Sequence, residues 1–457
     1  MSEHSEPSLS DQPNLIWIFG DQHRAQALSC HGDPNVHTPN IDRLAHEGID
    51  FANAVSGTPL CTPFRGSLLT GQYPHKATPG HEIPLPSDVP TIAEPFKAAG
   101  YRTSYFGKWH LDGHKERNGR GAFHEIPPER RGGFDDWVGY ENNNSPWDSW
   151  VHGTGIDGFE HLDGFESDVL TDRFIEYLKD RGREKKENKG KPFFASLSVQ
   201  PPHDPYVAPA EWMGRHNPAQ LQLRRNVPPI PSVEDKARCD LAGYYGAIEN
   251  LDWNLGRIRQ CLSEQDLDRE TVIIFFSDHG DMHGSHGLFK KTNPMEESMR
   301  IPFIIGGEVP YYGRKGRSIS SVPHLINHVD IAPTSLGLCG ITPPSEMMGT
   351  DYSSCFNPNR PAPAEGFPDS AFAQLVVPTC HGESPDRSWR CIVTTDGWKY
   401  AVTENGPWLL YDLKEDPNEL RNLAFASNWR KNRSDLHERL ANWIKKTDDP
   451  FNMPAEA

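Results

Sequence analysis

The clearest β-strand in this sequence is Thr271-Val272-Ile273-Ile274-Phe275-Phe276, which leads directly into Ser277-Asp278-His279. A run of β-branched and aromatic residues without polar alternation is typical of a strand buried on both faces of a parallel sheet. The run Leu15-Ile16-Trp17-Ile18-Phe19 has the same character and ends at Gly20-Asp21. Helical patterns lie between such runs, so the chain is predicted to form an α/β fold.

Polar side chains follow the ends of several predicted strands. In open α/β sheets ligands bind at the carboxyl ends of the strands, so these side chains are candidates for one site. They are Asp21 and Gln22, Lys108 and His110 after the strand Tyr101–Phe106, His203 after the strand Pro192–Val199, and Asp278 and His279 with Lys291 thirteen residues later. Each residue alone also has a structural explanation, as a surface lysine, a core histidine or a capping aspartate.

The run C-T-P-F-R-G-S-L-L-T-G begins at Cys61 and sets a thiol, a proline and a fixed cation within five positions. Pro63 suits the first turn of a helix, which places Arg65 one turn beyond Cys61 on the same face. Arg65 and the helix N-terminus would both surround the thiol with positive potential. A buried structural thiol is the alternative interpretation.

Composition narrows the class of protein. The chain has 457 residues, 41 prolines, 39 glycines and a formal net charge of -17, which predicts a loop-rich soluble protein and disfavours nucleic acid or anionic membrane as a partner. Its first 14 residues lack the basic and apolar regions of a secretory signal, so a cytoplasmic location is expected. Eight dispersed cysteines argue against a disulfide scaffold. A homo-oligomer is left open.

The remaining patterns divide the chain. Residues 112–164 show no periodicity and are predicted to be a surface excursion that shapes the substrate pocket, and a helix over 169–178 is expected to end in a solvated charged linker at 179–191. A helix is expected over 241–261. Strand-like runs at 390–402 and 408–413 and a helix at 436–446 predict a small terminal unit. The expected division is a polar tail at 1–13, a catalytic domain at 14–365 and a C-terminal α+β subdomain at 366–457.

The C-x-P-x-R pattern of Cys61, Pro63 and Arg65, with its L-L-T-G tail, resembles the signature of the sulfatase family, in which the cysteine is oxidised to formylglycine. Further segments resemble the family in the same order: G-K-W-H, P-H-x-P-Y, S-D-H-G-D-M-x-G-x-H-G-L-x-x-K, E-E-S-x-R-x-P and the closing L-Y-D-L-x-x-D-P-x-E-x-x-N-L. The resemblance implies an alkaline-phosphatase-like fold, with a large mixed central sheet flanked by helices and a smaller C-terminal subdomain with an antiparallel sheet.

The resemblance also implies a metal site. Asp21, Gln22, Asp278 and His279 would hold one divalent cation, and their mostly oxygen ligands favour Ca²⁺, Mg²⁺ or Mn²⁺. Many sulfatases carry an aspartate in place of Gln22 and an asparagine in place of His279. The combination found here looks more like phosphonate monoester hydrolases and choline sulfatases of the same family.

Catalytic roles follow from the resemblance as expectations. Formylglycine derived from Cys61 would be the nucleophile in its hydrated form, and a formylglycine-generating enzyme is the maturation partner this implies. Arg65 would orient the hydrate, and His110 would be the base that lets sulfate leave.

The expected substrate contacts lie on the other motifs. Lys108 and Lys291 would hold the sulfate oxygens, and His203 would protonate the leaving group, with His279 as the alternative donor. His81 stands where relatives often carry a substrate-binding asparagine.

The predicted activity is hydrolysis of a small aryl, alkyl or sugar sulfate monoester. A phosphonate monoester or phosphodiester hydrolase with the same site is the second hypothesis, because tetrahedral anions of similar size make similar demands. A non-catalytic metal-binding or anion-binding protein is the third.

Overall fold

The computed structural model describes residues 12–115, 121–307, 320–379 and 387–456. Its strands are β1 Asn14–Gly20, β2 Ile49–Asp50, β3 Arg102–Lys108, β4 Asp136–Tyr140, β5 Ser149–Gly153, β6 Glu160–Leu162, β7 Phe193–Val199, β8 Thr271–Ser277, β9 Phe303–Gly306, β10 Ser320–Ser321, β11 Ser370–Leu375, β12 Trp389–Thr394, β13 Trp398–Thr403 and β14 Gly406–Asp412. Its α-helices are α1 Pro39–Glu47, α2 Cys61–Thr70, α3 Ala93–Ala98, α4 Glu166–Lys186, α5 Ala210–Met213, α6 Pro231–Glu264, α7 Glu296–Met299, α8 Ile331–Leu338, α9 Ser353–Phe356 and α10 Arg430–Thr447.

The large sheet is mixed, as expected. Among the described residues its strand order is β10-β2-β9-β8-β1-β7-β3-β4-β5-β6. The strands β8, β1, β7, β3 and β4 are mutually parallel, while β9 and β5 run antiparallel to their neighbours β8 and β4. The parallel core aligns the carboxyl ends of β1, β3, β7 and β8 at one edge.

Both faces of this sheet are covered by helices, and the pleat of β1 shows how. Leu15, Trp17 and Phe19 face a core that includes α2, α3 and α8. Ile16 and Ile18 point to the other face and pack against α1, α4 and α6. Because successive side chains of a strand alternate between faces, a continuous apolar run is what a strand covered on both sides requires.

Two expectations about the middle of the chain are wrong, the charged linker after residue 178 and the surface excursion at 112–164, although residues of the second segment do line a cavity, as expected. The charged run after residue 178 is not a linker, because α4 continues to Lys186 and buries Arg181 and Gly182. Residues 112–164 contain β4, β5 and β6, which extend the main sheet beyond β3. These strands are three to five residues long, too short for a period to be recognised in the sequence.

The second sheet is antiparallel, with the order β11-β12-β13-β14. One face packs under α10, where Ile392 and Tyr400 meet Leu440. The other face packs against the main unit, where Trp389 lies in one apolar cluster with Leu60. The antiparallel C-terminal sheet is confirmed, and the boundary between residues 365 and 366 stays a prediction. No helix in the described ranges combines the length and apolar character needed to cross a membrane.

Candidate active site

The predicted site residues converge at the edge where the parallel strands end. Asp21 and Gln22 follow β1, Lys108 is the last residue of β3, and Asp278 follows β8. Cys61 is the first residue of α2, as the proline two positions later predicts. The topology therefore brings together residues that are as much as 270 positions apart, from Asp21 to Lys291.

The thiol of Cys61 lies in the middle of these groups and is only 2% exposed. Its Sγ is 3.2 Å from His279 Nε2, 3.3 Å from Lys291 Nζ and 3.4 Å from Asp21 Oδ1. Burial and the charge of Asp21 raise the pKa of Cys61, but Lys291 and Lys108 outweigh them and lower it to about 7. The surroundings of the thiol are positive, but the cations that lower its pKa are Lys291 and Lys108 rather than the predicted Arg65 and helix N-terminus.

Arg65 is fully enclosed and links the strand ends. Its Nη1 donates to the carbonyl oxygen of Lys108 at 2.7 Å and to Ser198 Oγ at 2.8 Å. Its Nη2 donates to Asp21 Oδ2 at 3.2 Å and lies 3.7 Å from Asp278 Oδ2. A planar guanidinium suits this task because it can donate in several directions from one fixed position.

Asp21, Asp278 and His279 form a group that could hold a metal ion. One ligand atom from each, together with the thiol of Cys61, lies within 4.8 Å of all the others. His279 Nε2 is 3.6 Å from Asp21 Oδ1 and 3.7 Å from Asp278 Oδ2. Asp278 Oδ2 is buried without a hydrogen-bond partner among the described residues. Such a donor set fits a hard divalent cation, whose oxygen ligands lie at about 2.0–2.6 Å.

The two carboxylates differ in their electrostatic surroundings. Burial alone raises the pKa of Asp21, but the charges of Lys108, His203 and Lys291 hold it well below its ordinary value. Burial and the neighbouring charge of Asp21 raise the pKa of Asp278 to about 7. Without added positive charge, two closely spaced carboxylates resist simultaneous ionisation.

Gln22 is oriented by neighbours that the sequence did not identify. Its Nε2 donates to Asp281 Oδ2 and to the Tyr206 hydroxyl, and Tyr206 also donates to Asp281 at 2.6 Å. Gln22 Oε1 accepts a hydrogen bond of 2.7 Å from Lys291 Nζ. The amide oxygen therefore faces the centre of the site. Asp281 belongs to the D-H-G-D segment, and its position beside Asp278 was the available signal.

The basic residues line a cavity beside Cys61. Lys108 Nζ is 2.8 Å from Asp21 Oδ2, and Lys291 Nζ is 2.9 Å from His203 Nε2. His203 Nδ1 lies 2.7 Å from the carbonyl oxygen of Asp204. A proton on Nδ1 would satisfy that carbonyl and leave Nε2 facing Lys291.

A cavity of about 340 Å³ opens above these groups. His81 and His110 line it, with their rings 5.0 Å apart and edge to face. Burial, Lys108 and His81 lower the pKa of His110 well below its ordinary value, so its neutral form is favoured. The cavity has further polar residues in its lining that the sequence did not single out: Glu82, His114, Glu141, Asn142 and Asn144.

Comparison with known proteins agrees with this architecture. The Sulfatase family model matches residues 13–341, and a second model, N-sulphoglucosamine sulphohydrolase, C-terminal, matches residues 284–446. An ulvan-active sulfatase of Formosa agariphila is 34% identical over 99% of this chain and 84% of its own length. An endo-4-O-sulfatase of Bacteroides thetaiotaomicron is 30% identical over 97% of this chain and 94% of its own.

The fold is also shared with solved structures. The crystal structure of the YidJ protein from Bacteroides fragilis superposes with a TM-score of 0.84, at 28% identity over 98% of both chains. The family typically uses a metal ion and a formylglycine, and the expectation of an enzyme is confirmed. The chain therefore belongs to the sulfatase family, whose members hydrolyse sulfate esters.

Proposed function

We propose that this enzyme hydrolyses sulfate esters of small carbohydrates, with a formylglycine made from Cys61 as its nucleophile. The observation that carries the proposal is the position of Cys61 Sγ, within 3.4 Å of Asp21, His279 and Lys291 at the edge of a polar cavity. Formation of the aldehyde requires a formylglycine-generating enzyme as a partner during maturation.

The proposed reaction uses two groups that the residues of the site fit: a formylglycine at position 61 and a divalent cation. Hydrated formylglycine supplies one hydroxyl to attack sulfur and a second whose deprotonation expels sulfate, so water need not attack a sulfate centre. A divalent cation, as Ca²⁺, Mn²⁺ or Mg²⁺, supplies positive charge that favours ionisation of the attacking hydroxyl. Asp21, Asp278 and His279, whose ligand atoms lie close together, and Gln22, whose Oε1 faces the site, are the residues that would hold it.

Lys108 and Lys291 are assigned to bind the oxygen atoms of the sulfate group. Both ammonium groups are almost fully enclosed, and both residues line the cavity beside Cys61. Fixed cations in a water-poor site stabilise negative charge in the transition state because they need no reorganisation. Arg65 keeps the strand ends and Asp21 in place through its hydrogen bonds.

His203 is assigned as the general acid. Its imidazole lines the cavity, whereas His279 Nε2 is turned toward Asp21 and Asp278. A nitrogen that binds a cation cannot also carry the proton for a leaving group, so His203 is favoured over His279. His110, whose neutral form is favoured, is assigned as the base that takes a proton from the second hydroxyl.

The lining of the cavity supports the carbohydrate class. Outside the reacting centre the wall offers Glu82, His114, Asn142 and Asn144, and an apolar contribution comes from Leu60. Amide and carboxylate groups pair with the hydroxyls of a sugar, whereas an aryl group would bury them without partners. The names of the two relatives, which refer to ulvan and to an endo-acting 4-O-sulfatase, agree with a sugar substrate.

The test combines turnover with mass analysis of one sample. Monosaccharide and disaccharide sulfates, 4-nitrophenyl sulfate and a phenyl phosphonate ester are compared by kcat/KM on protein matured in a competent host. Conversion of the thiol to the aldehyde lowers the mass of the peptide containing Cys61 by about 18 Da. Full activity with an unmodified Cys61 would overturn the proposal, and a preference for 4-nitrophenyl sulfate over every sugar sulfate would overturn the substrate class.

Hydrolysis of phosphonate monoesters or phosphodiesters is the second candidate. Its specific support is the ligand set that contains Gln22 and His279, which resembles that of phosphonate monoester hydrolases. The same panel of esters separates the two candidates, because a higher kcat/KM for the phosphonate ester than for any sulfate would favour the second.

A further inference from the structure

The backbone on both sides of Lys291 is strained. Lys290 has φ 62° and Thr292 has φ 73°, so the two neighbours of this cation both lie in the left-handed region. For a β-branched residue such as Thr292 this conformation is a true outlier. Such strain persists only where surrounding structure enforces it, and it clusters at functional sites. The contacts that hold these two residues therefore set the path of the backbone that carries Lys291.

On the N-terminal side, the contacts come from the same loop. The amide of Lys290 donates to Asp281 Oδ1 at 3.1 Å, and the Lys290 carbonyl accepts from the amide of Met282 at 2.8 Å. These bonds close the segment 281–290 upon itself. Side chains tie the same segment to the site, because Asp281 Oδ2 accepts from Gln22 and Tyr206, and Lys290 Nζ lies 3.4 Å from Asp204 Oδ2.

On the C-terminal side, the contacts come from two distant parts of the chain. The amide of Thr292 donates to the carbonyl oxygen of Pro59 at 3.2 Å, two residues before Cys61. The carbonyl oxygen of Thr292 accepts a hydrogen bond of 3.0 Å from the indole Nε1 of Trp389. Trp389 is the first residue of β12 and is fully buried in the cluster that also contains Leu60 and Met295.

We propose that Trp389, on the C-terminal sheet, is a positioning residue for Lys291. The indole ring of Trp389 is held by packing, and its N–H donates to the carbonyl oxygen of Thr292, the residue after Lys291. The small sheet would thereby determine where the ammonium of Lys291 lies relative to Cys61. This inference rests on the sulfate-binding role given to Lys291 under the proposed function. It assigns the C-terminal sheet a part in catalysis although its strands contribute none of the assigned catalytic or metal-binding residues in the described ranges.

The test is a double-mutant cycle between Trp389→Phe and Lys291→Met in the full-length matured protein, with 4-nitrophenyl sulfate as the probe. Trp389→Phe keeps an aromatic ring but removes the indole N–H. The matched control is Trp443→Phe on α10, which loses an indole hydrogen bond of 2.9 Å to Ser370 on the other side of the small sheet. Thermal unfolding of all variants shows whether they are folded at the assay temperature.

We expect Trp389→Phe to lower kcat/KM by about tenfold, since displacements of the order of 1 Å cost up to about a hundredfold. In the Lys291→Met background the same change should lower kcat/KM by less than about twofold, because the group that Trp389 positions is gone. Trp443→Phe should leave kcat/KM unchanged. Equal losses from Trp389→Phe in both backgrounds, or no loss in either, would overturn the inference.

Two further results distinguish a failure of this inference from a failure of the proposed function. If Lys291→Met retains the kcat/KM of the unmutated enzyme, the role assigned to Lys291 fails, and the inference fails with it. If no variant turns over the probe, the rate of amide hydrogen exchange tests the positioning role instead. Trp389→Phe should accelerate exchange of the Thr292 amide selectively, and an unchanged or a uniformly accelerated exchange pattern would refute the positioning role.

Discussion

Two ion pairs of similar length test how much burial matters in this enzyme. Lys108 Nζ is 2.8 Å from Asp21 Oδ2, with side chains 1% and 0% exposed, whereas Lys97 Nζ is 3.1 Å from Asp135 Oδ1, with side chains 43% and 36% exposed. Removing one partner of a buried pair costs about 3–5 kcal/mol because it leaves an uncompensated charge. An exposed pair contributes about 0.2–1 kcal/mol.

We therefore expect different losses from Lys108→Met and Lys97→Met. Because Arg65 still donates to Asp21, the free energy of unfolding of the metal-free protein should fall by the lower limit for a buried pair, about 3 kcal/mol, in Lys108→Met. It should fall by less than about 1 kcal/mol in Lys97→Met. Loss of a cation that faces the transition state should also lower kcat/KM of Lys108→Met by about 10²–10³, while Lys97→Met keeps full turnover.

Urea unfolding measures the difference in the free energy of unfolding. Steady-state kinetics with the preferred sulfate ester measure the difference in kcat/KM. Kinetics are recorded at urea-free conditions where both variants are shown to be folded. Equal unfolding free energies for the two variants would refute the electrostatic reasoning. A folded Lys108→Met with the kcat/KM of the unmutated enzyme would refute the assignment of Lys108 to the sulfate group.

Four other outcomes are expected. Cys61→Ala should lower kcat by about three decades or more without unfolding the protein, and a smaller loss would remove Cys61 from the nucleophile role. Chelation of divalent cations should abolish turnover, with recovery on adding back one of Ca²⁺, Mn²⁺ or Mg²⁺. Arg390→Met, which breaks a buried fork to Asp449, should cost about 3–5 kcal/mol in urea unfolding, against under about 1 kcal/mol for the more exposed Arg439→Met. Burial raises the pKa of Asp252 from 3.8 to about 7, so its contribution to stability falls as pH rises from 3.8 to 7, and Asp252→Asn should flatten the measured pH dependence there.

The strongest sequence patterns led to correct elements for a clear reason. β1 and β8 are continuous apolar runs because helices cover both faces of the sheet at that point. The sequence does not reveal the end of α4 because its composition is highly polar, and it does not reveal β4 to β6 because they are only three to five residues long. In α4, pairs such as Lys179 with Glu176 at 2.8 Å support a charged helix that a hydrophobic period does not reveal.

The site shows the same contrast at the level of single residues. Cys61 and Arg65 were recognisable because their spacing within one helix turn is local. The orienting roles of Trp389 and of Tyr206 were not, although Tyr206 belongs to the P-H-x-P-Y segment, since each role depends on a hydrogen bond to a residue more than 70 positions away. A tyrosine or tryptophan carries no local sign of which distant carbonyl or carboxylate will accept its proton.

By itself the sequence determined the fold class, the order of the strand ends that carry polar groups, and the chemical identity of the thiol, cations and carboxylates. These features can be predicted because they depend on contiguous residues, whose periodicity and spacing determine which side chains share a face of one strand or one helix turn. Only the tertiary structure decided that Gln22 turns its amide oxygen toward Lys291, that Asn142 and Asn144 form part of the cavity wall, and that the C-terminal sheet contacts the loop of Lys291 through Trp389. Those arrangements depend on packing between segments far apart in the chain. The position of each side chain is set there by neighbours that cannot be predicted from the local sequence.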